Sequence, residues 1–304
     1  MEGRTSCAVA DDRDVIQIRN ALDNSRTNDS LKGVEKDDDM RKLAFIFGLL
    51  ATPLGAHELW VEPEAYVIEP NVNITANIVN GQEFEGTRLP FVPRRFTYFV
   101  NFSGSTGTKV DSRLGDNPAM SQPAVAEGLN VIAYQAKIAE ITYETWEKFQ
   151  RFLDHKDLGD QRAIHEERGF PTEGFKEIYS RYSKSLVAVG NAAGADRQLG
   201  LLTEIVALTN PYVDDMADGM RVQLFYQTQP RADEQIEVFE KANDDTVTIF
   251  TLRTDADGIA TIPVKADHEY MLDAVLLREP SEAIAADTGA AWETLWANMT
   301  FMVP

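Results

Sequence analysis

Thr246-Val247-Thr248-Ile249-Phe250-Thr251-Leu252, the turn sequence Asp255-Ala256-Asp257-Gly258, and Ile259-Ala260-Thr261-Ile262 decide the fold. Polar and apolar residues alternate at period two on both sides of a tight-turn signal, which predicts two antiparallel strands with one face toward a core. The flanking sequence repeats the pattern: Leu202 to Leu208, Met220 to Tyr226 and Ile236 to Phe239 before it, Glu269 to Val275 after it. Strands this closely spaced predict an immunoglobulin-like or transthyretin-like β-sandwich over residues 200–304.

Toward the N-terminus the same signature returns. Asn71 to Val79 alternates and ends in Asn80-Gly81, a hairpin signal, and Arg95 to Phe102 and Leu129 to Ala136 read as further strands. Between the halves the period changes. Trp146, Phe149 and Phe152 recur at helical spacing, so a helical insertion is expected over about 142–180, with a second short helix over 174–179 and a strand over 184–189. The expected class is mainly β, with an N-terminal β domain over 57–199 that carries the helical insertion and a C-terminal sandwich over 200–304.

Residues 1–39 are polar and end in an acidic run, after which Met40-Arg41-Lys42 precedes the apolar stretch Leu43 to Leu50. A positive start, a short apolar run, Pro53 and the small residue Ala56 have the order of a secretory signal over 40–56, with cleavage between Ala56 and His57. The apolar run is well short of the ~20 residues that span a bilayer. Export to the periplasm is the expectation, and residues 1–39 are expected to be a disordered extension or a mis-start of the reading frame.

The 304 residues carry a formal charge of −20, which disfavours nucleic acid and anionic lipid as partners by repulsion. Cys7 is the only cysteine, so no intramolecular disulfide and no thiolate zinc site can form. Metal chemistry must then use carboxylates, a terminal amine or the four histidines, His57, His155, His165 and His268.

Four segments carry a resemblance. They are Ala56-His57-Glu58-Leu59-Trp60-Val61-Glu62-Pro63, Glu177-Ile178-Tyr179-Ser180-Arg181-Tyr182-Ser183-Lys184, Thr254-Asp255-Ala256-Asp257-Gly258-Ile259-Ala260, and the run from Trp292 to Phe301. Over nearly all of residues 57–304 the chain resembles the exported components associated with nickel and cobalt uptake systems. The third segment occurs in many unrelated sandwiches, whereas the other three are specific together. The resemblance implies periplasmic metal handling and an inner-membrane transporter permease as partner. The chain lacks a His-rich tract that would act as a metal reservoir.

If cleavage follows Ala56, His57 offers an α-amine and an imidazole Nδ1 from one residue, a nitrogen pair suited to Cu(II) or Ni(II). His165, in Ala163-Ile164-His165-Glu166-Glu167, is the candidate second ligand folded back on the terminus. His155 reads as helix surface and His268 as a strand turn. Asp255-Ala256-Asp257-Gly258 lacks the acidic twelfth position of a calcium loop, which here is Ala266, and reads as a hairpin turn. Tyr179, Arg181, Tyr182 and Lys184 either line a polar pocket or knit a helix end to a sheet, and Trp60, Trp292 and Trp296 read as packing. No nucleophile elbow, P-loop, dinucleotide fingerprint or His-Glu-x-x-His is present, so no catalytic residues are nominated and an enzyme is not expected. The expected function is periplasmic binding of nickel, cobalt or copper for delivery to an uptake transporter. The alternative is an envelope module that binds a carbohydrate, a peptide or a partner protein.

Overall fold

A computed structural model describes residues 57–304. The expected extension over 1–39 and signal segment over 40–56 lie outside the described residues. In chain order the elements are β1 (Glu58–Pro63), β2 (Val67–Ile68), β3 (Asn73–Gln82), β4 (Glu85–Leu89), β5 (Phe96–Ser103), β6 (Thr106–Lys109), β7 (Met120–Pro123), β8 (Gly128–Ala136) and β9 (Ala139–Tyr143). Helices α1 (Trp146–His155) and α2 (Arg162–Glu167) follow, then β10 (Phe175–Val189), β11 (Thr203–Ala207), β12 (Met220–Tyr226), β13 (Gln229–Pro230), β14 (Gln235–Lys241), β15 (Val247–Arg253), β16 (Ile259–Ile262), β17 (His268–Arg278), α3 (Glu282–Thr288) and β18 (Trp292–Val303).

The chain is mainly β, as expected, and its strands form three layers. The middle layer is a ten-stranded sheet in the order β15-β14-β17-β18-β10-β8-β5-β6, with β2 and β9 also pairing with β10. Alternation sorts its side chains onto two faces. Leu186, Val131, Val238, Leu272 and Met299 join Ile205, Val222 and Leu224 of the β11-β12-β13 and β16 sheet in one core. On the opposite face Phe99, Ile132, Val187 and Val189 pack against Val61, Ile74 and Ile78 of the sheet built from β1, β3, β4 and β7. The helical hairpin covers the rest of that second face, where Trp146, Phe149 and Phe152 of α1 meet Phe175, Val275, Trp292 and Trp296.

Both strands of the deciding stretch form, but the Asp255–Gly258 turn between them does not close a hairpin: β15 pairs with β14 in the large sheet and β16 with β12 in the smaller one, so the turn carries the chain from one layer to the next. Gly258 sits at φ +72°, and a Cβ there would lie 3.0 Å from Leu224 O and Arg231 N, so the turn demands glycine. The pairs β1/β3, β3/β4 and β5/β8 are antiparallel.

Two placements differ from expectation. The second helix is α2 at Arg162–Glu167, whereas residues 174–179, expected as helix, open the long strand β10. Strand β10 is central and buried on both faces, so Arg181 and Lys184 are held inside by tertiary partners and the alternation that marks a half-exposed strand is lost. The large sheet also runs across residue 200: β10 pairs in parallel with β18 from Glu177↔Trp292 to Ser185↔Thr300, and residues 57–304 fall within one compact unit.

Candidate functional site

The residues worth attention lie along a seam on the second face of the large sheet, between β1 and the end of α1. Four strands contribute one buried polar residue each in register: Glu237 of β14 opposite Asp273 of β17, Asp273 opposite Asn298 of β18, and Asn298 opposite Ser183 of β10. Strand β1 lies over this row and is fixed to it, since Ser183 Oγ accepts from Val61 N at 3.0 Å and Thr300 Oγ1 donates to Val61 O at 2.6 Å.

Lys156 closes the seam. It is the C-terminal cap of α1, an end where the helix dipole favours a cation. Its ammonium lies 3.0 Å from Glu58 Oε1, 2.6 Å from Glu237 Oε2 and 3.2 Å from Asp273 Oδ2, and 4.9 Å over the Trp296 ring. His155 Nε2 meets the other Glu237 oxygen at 3.0 Å. Burial alone would lower the Lys156 pKa, but Asp273, Glu58 and Glu237 together hold it above the usual ammonium range. Burial pushes Asp273 up, reinforced by repulsion from Glu58 and Glu237. For Glu237 burial acts upward too, yet the hydrogen bond from His155 and the charge of Lys156 win and hold it at about 2.

Oxygens of Glu58, Glu237 and Asp273 lie within 4.8 Å of one another, a spacing that would suit a hard cation. Lys156 already supplies that cation, with short contacts to all three carboxylates. The chemistry of this cluster is therefore that of an internal ion pair rather than a metal centre.

On the other side of Trp296 lies a second buried acid. Glu177 is fully enclosed, accepts from Thr294 Oγ1, and Thr294 in turn accepts from Trp296 Nε1 at 3.0 Å. Burial raises it to about 7, the Thr294 and Tyr143 hydroxyls acting in the opposite sense.

His57 is exposed at the head of β1. Its carbonyl accepts a hydrogen bond from Arg181 Nη2, and its Nδ1 lies 3.5 Å from Asn80 Nδ2. Arg181 stacks on Tyr179 at 4.4 Å and lies 5.8 Å from the Trp296 ring, so this polar group knits the sheet to the N-terminal strand. Lys184 is enclosed as well, 2.7 Å from Asp196.

The expectation for His165 is corrected. It is 0% exposed and wedged among Trp146, Phe175 and Phe170, with centroids 4.9, 4.5 and 5.8 Å away. Its Nδ1 accepts from Trp292 Nε1 at 3.0 Å, so Nε2 carries the proton and donates to Pro171 O at 2.8 Å. Both ring nitrogens are spent within the core, which leaves none for a metal.

His268 Nδ1 faces Ala266 O at 2.7 Å at the start of β17, and Asp255 Oδ1 accepts from Asp257 N and Ile259 N within its turn. Trp60, Trp292 and Trp296 are core residues. Lys156 and its three carboxylates escaped the sequence reading because they come from four elements. The one local signal was Asp273, an acid inside the apolar run Tyr270-Met271-Leu272-Asp273-Ala274-Val275.

No curated protein matches the chain in a sequence search. Among solved structures, the D0-D1 domain of Intimin is similar at 10% identity over 80% of this chain and 97% of that one, with a TM-score of 0.21. A tetra-tandem repeat in the extending region of a large adhesion protein is similar at 11% identity over 82% of this chain and 50% of that one, with a TM-score of 0.19. Residues 54–278 match the model of a domain of unknown function, DUF4198, and the chain belongs to that family.

Proposed function

We propose that this protein is a non-enzymatic binding module of the bacterial envelope, which holds a divalent transition metal at His57 and passes it to an uptake transporter in the inner membrane. The observation that carries this reading is the placement of His57, with an exposed ring on a backbone fastened on its C-terminal side, where Arg181 grips the His57 carbonyl and Lys156 grips the side chain of Glu58. A ligand residue held in place before binding loses little freedom when it binds.

With the chain cut after Ala56, the terminal amine and Nδ1 of His57 form a two-nitrogen donor set that fits nickel or copper, and cobalt less tightly. The resemblance to nickel and cobalt uptake components supports the same cargo. The site needs no second histidine from the core, and Lys156 keeps the neighbouring carboxylates occupied.

Calorimetric titration of the processed protein with nickel, cobalt and copper tests this reading. One site is expected, lost in His57→Ala and weakened when one glycine precedes His57. Equal affinity in all three proteins would overturn it.

A further inference from the structure

A sheet edge is a row of unpaired backbone donors and acceptors, and folded proteins guard such edges with short strands, charges, proline or a covering element. Most edges here are guarded. At one end of the large sheet β6 has four residues, ending in Lys109. Strand β4 carries Glu85 and Arg88, β7 ends in Pro123, and β11 is buried throughout.

Strand β15, at the other end, is different. It has seven residues, Val247-Thr248-Ile249-Phe250-Thr251-Leu252-Arg253, with no proline, no lysine and no break in its register with β14. Just beyond the strand, Ala242 N donates to Thr246 O and Thr254 N donates to Glu234 O. These bonds lie on the same register as the strand pairs, so the even-numbered residues of β15 bond to β14 and the odd-numbered ones turn their N–H and C=O outward. Among the described residues, no hydrogen bond reaches the outward backbone of Val247, Ile249 or Thr251. Ile249 is 41% exposed, whereas Phe250 and Leu252 anchor the strand to the core.

Charge says what would sit there. Exposed Asp244 and Asp245 flank one end of the strand and exposed Asp255 and Asp257 the other, while its single cation, Arg253, is already paired with Asp157 and Asp233. A second copy of this chain, at −20, would bring the same aspartates against them. We infer that β15 is a docking edge for an extended segment of a partner protein, one with basic residues at its ends, which adds as a further strand of the large sheet. This surface is independent of His57.

A synthetic peptide of alternating valine and threonine, seven residues long like β15 and flanked by lysine pairs, is the probe. Fluorescence anisotropy with the full chain should show saturable binding that weakens with added salt, and the same peptide flanked by glutamates should not bind. Hydrogen exchange on the unmodified protein should show fast exchange at Ile249 and Thr251 that slows when the lysine peptide is present. Thr251→Pro removes an outward N–H that the fold does not use, and should weaken binding about tenfold or more with an unchanged circular dichroism spectrum. The inference is overturned if the lysine peptide fails to bind, if both peptides bind alike, if Ile249 and Thr251 are already protected, or if sedimentation shows a dimer that Thr251→Pro dissolves.

Discussion

Lys156 neutralises carboxylates from three strands at once, and its removal would leave Glu58, Glu237 and Asp273 buried against one another. Breaking a buried ion pair by taking one partner costs about 3–5 kcal/mol, because the remaining charges stay desolvated. Lys156→Ala should lose about that much in urea unfolding at pH 7, and lose less at pH 4, where the stranded carboxylates take up protons. An equal loss at both values would show that the ammonium contributes packing and not charge. Glu177 gives a second test, with its sign set by burial. Its folded pKa of about 7 lies above the unfolded value, so the stability it contributes is fully present below about pH 4 and is lost as pH rises through 7. Glu177→Gln keeps the acceptor for Thr294 and removes the charge. Relative to wild type it should gain about 3 kcal/mol between pH 4 and pH 8, and parallel pH profiles would contradict the assignment. At this scale the sequence revealed little. An imidazole flanked by carboxylates in Ala163-Ile164-His165-Glu166-Glu167 looked available for a metal, and only the packing of Trp292 and Pro171 around it shows that both nitrogens are used.

The hairpin of α1 and α2 is the element that seals the seam. Period alone identified α1, since Trp146, Phe149 and Phe152 recur at the spacing of one helical face, and all three are buried. Period failed for β10, because a strand covered on both faces has no polar side to alternate with. Phe149 touches Tyr143, Trp146, Phe175 and Trp292, so Phe149→Ala should cost about 3–5 kcal/mol by chemical denaturation. Limited proteolysis of that variant should cut first within 146–167. First cuts elsewhere would mean that the hairpin does not depend on this aromatic contact.

For the molecule as a whole, β-strand character was legible in most of the sheet but not in the first half of β10, and the partition at residue 200 rested on where the period changes and not on which strands pair. Pairing is a long-range matter: β18 sits between β17 and β10, so the middle layer draws from both halves of the chain. Fragments 57–199 and 200–304, expressed separately, should each lack dispersed amide signals by NMR, and a well-dispersed spectrum from either would show an independent domain. The charge of −20 and the lone cysteine restricted the partner classes from the start, and the exposed, anchored His57 is where that restriction meets the structure. The most direct test of the proposed metal binding is electron paramagnetic resonance of the processed protein loaded with Cu(II) and labelled with 15N-histidine. Hyperfine coupling to the amine and ring nitrogens of a single histidine is predicted, absent in His57→Ala. A spectrum unchanged by that substitution would contradict it.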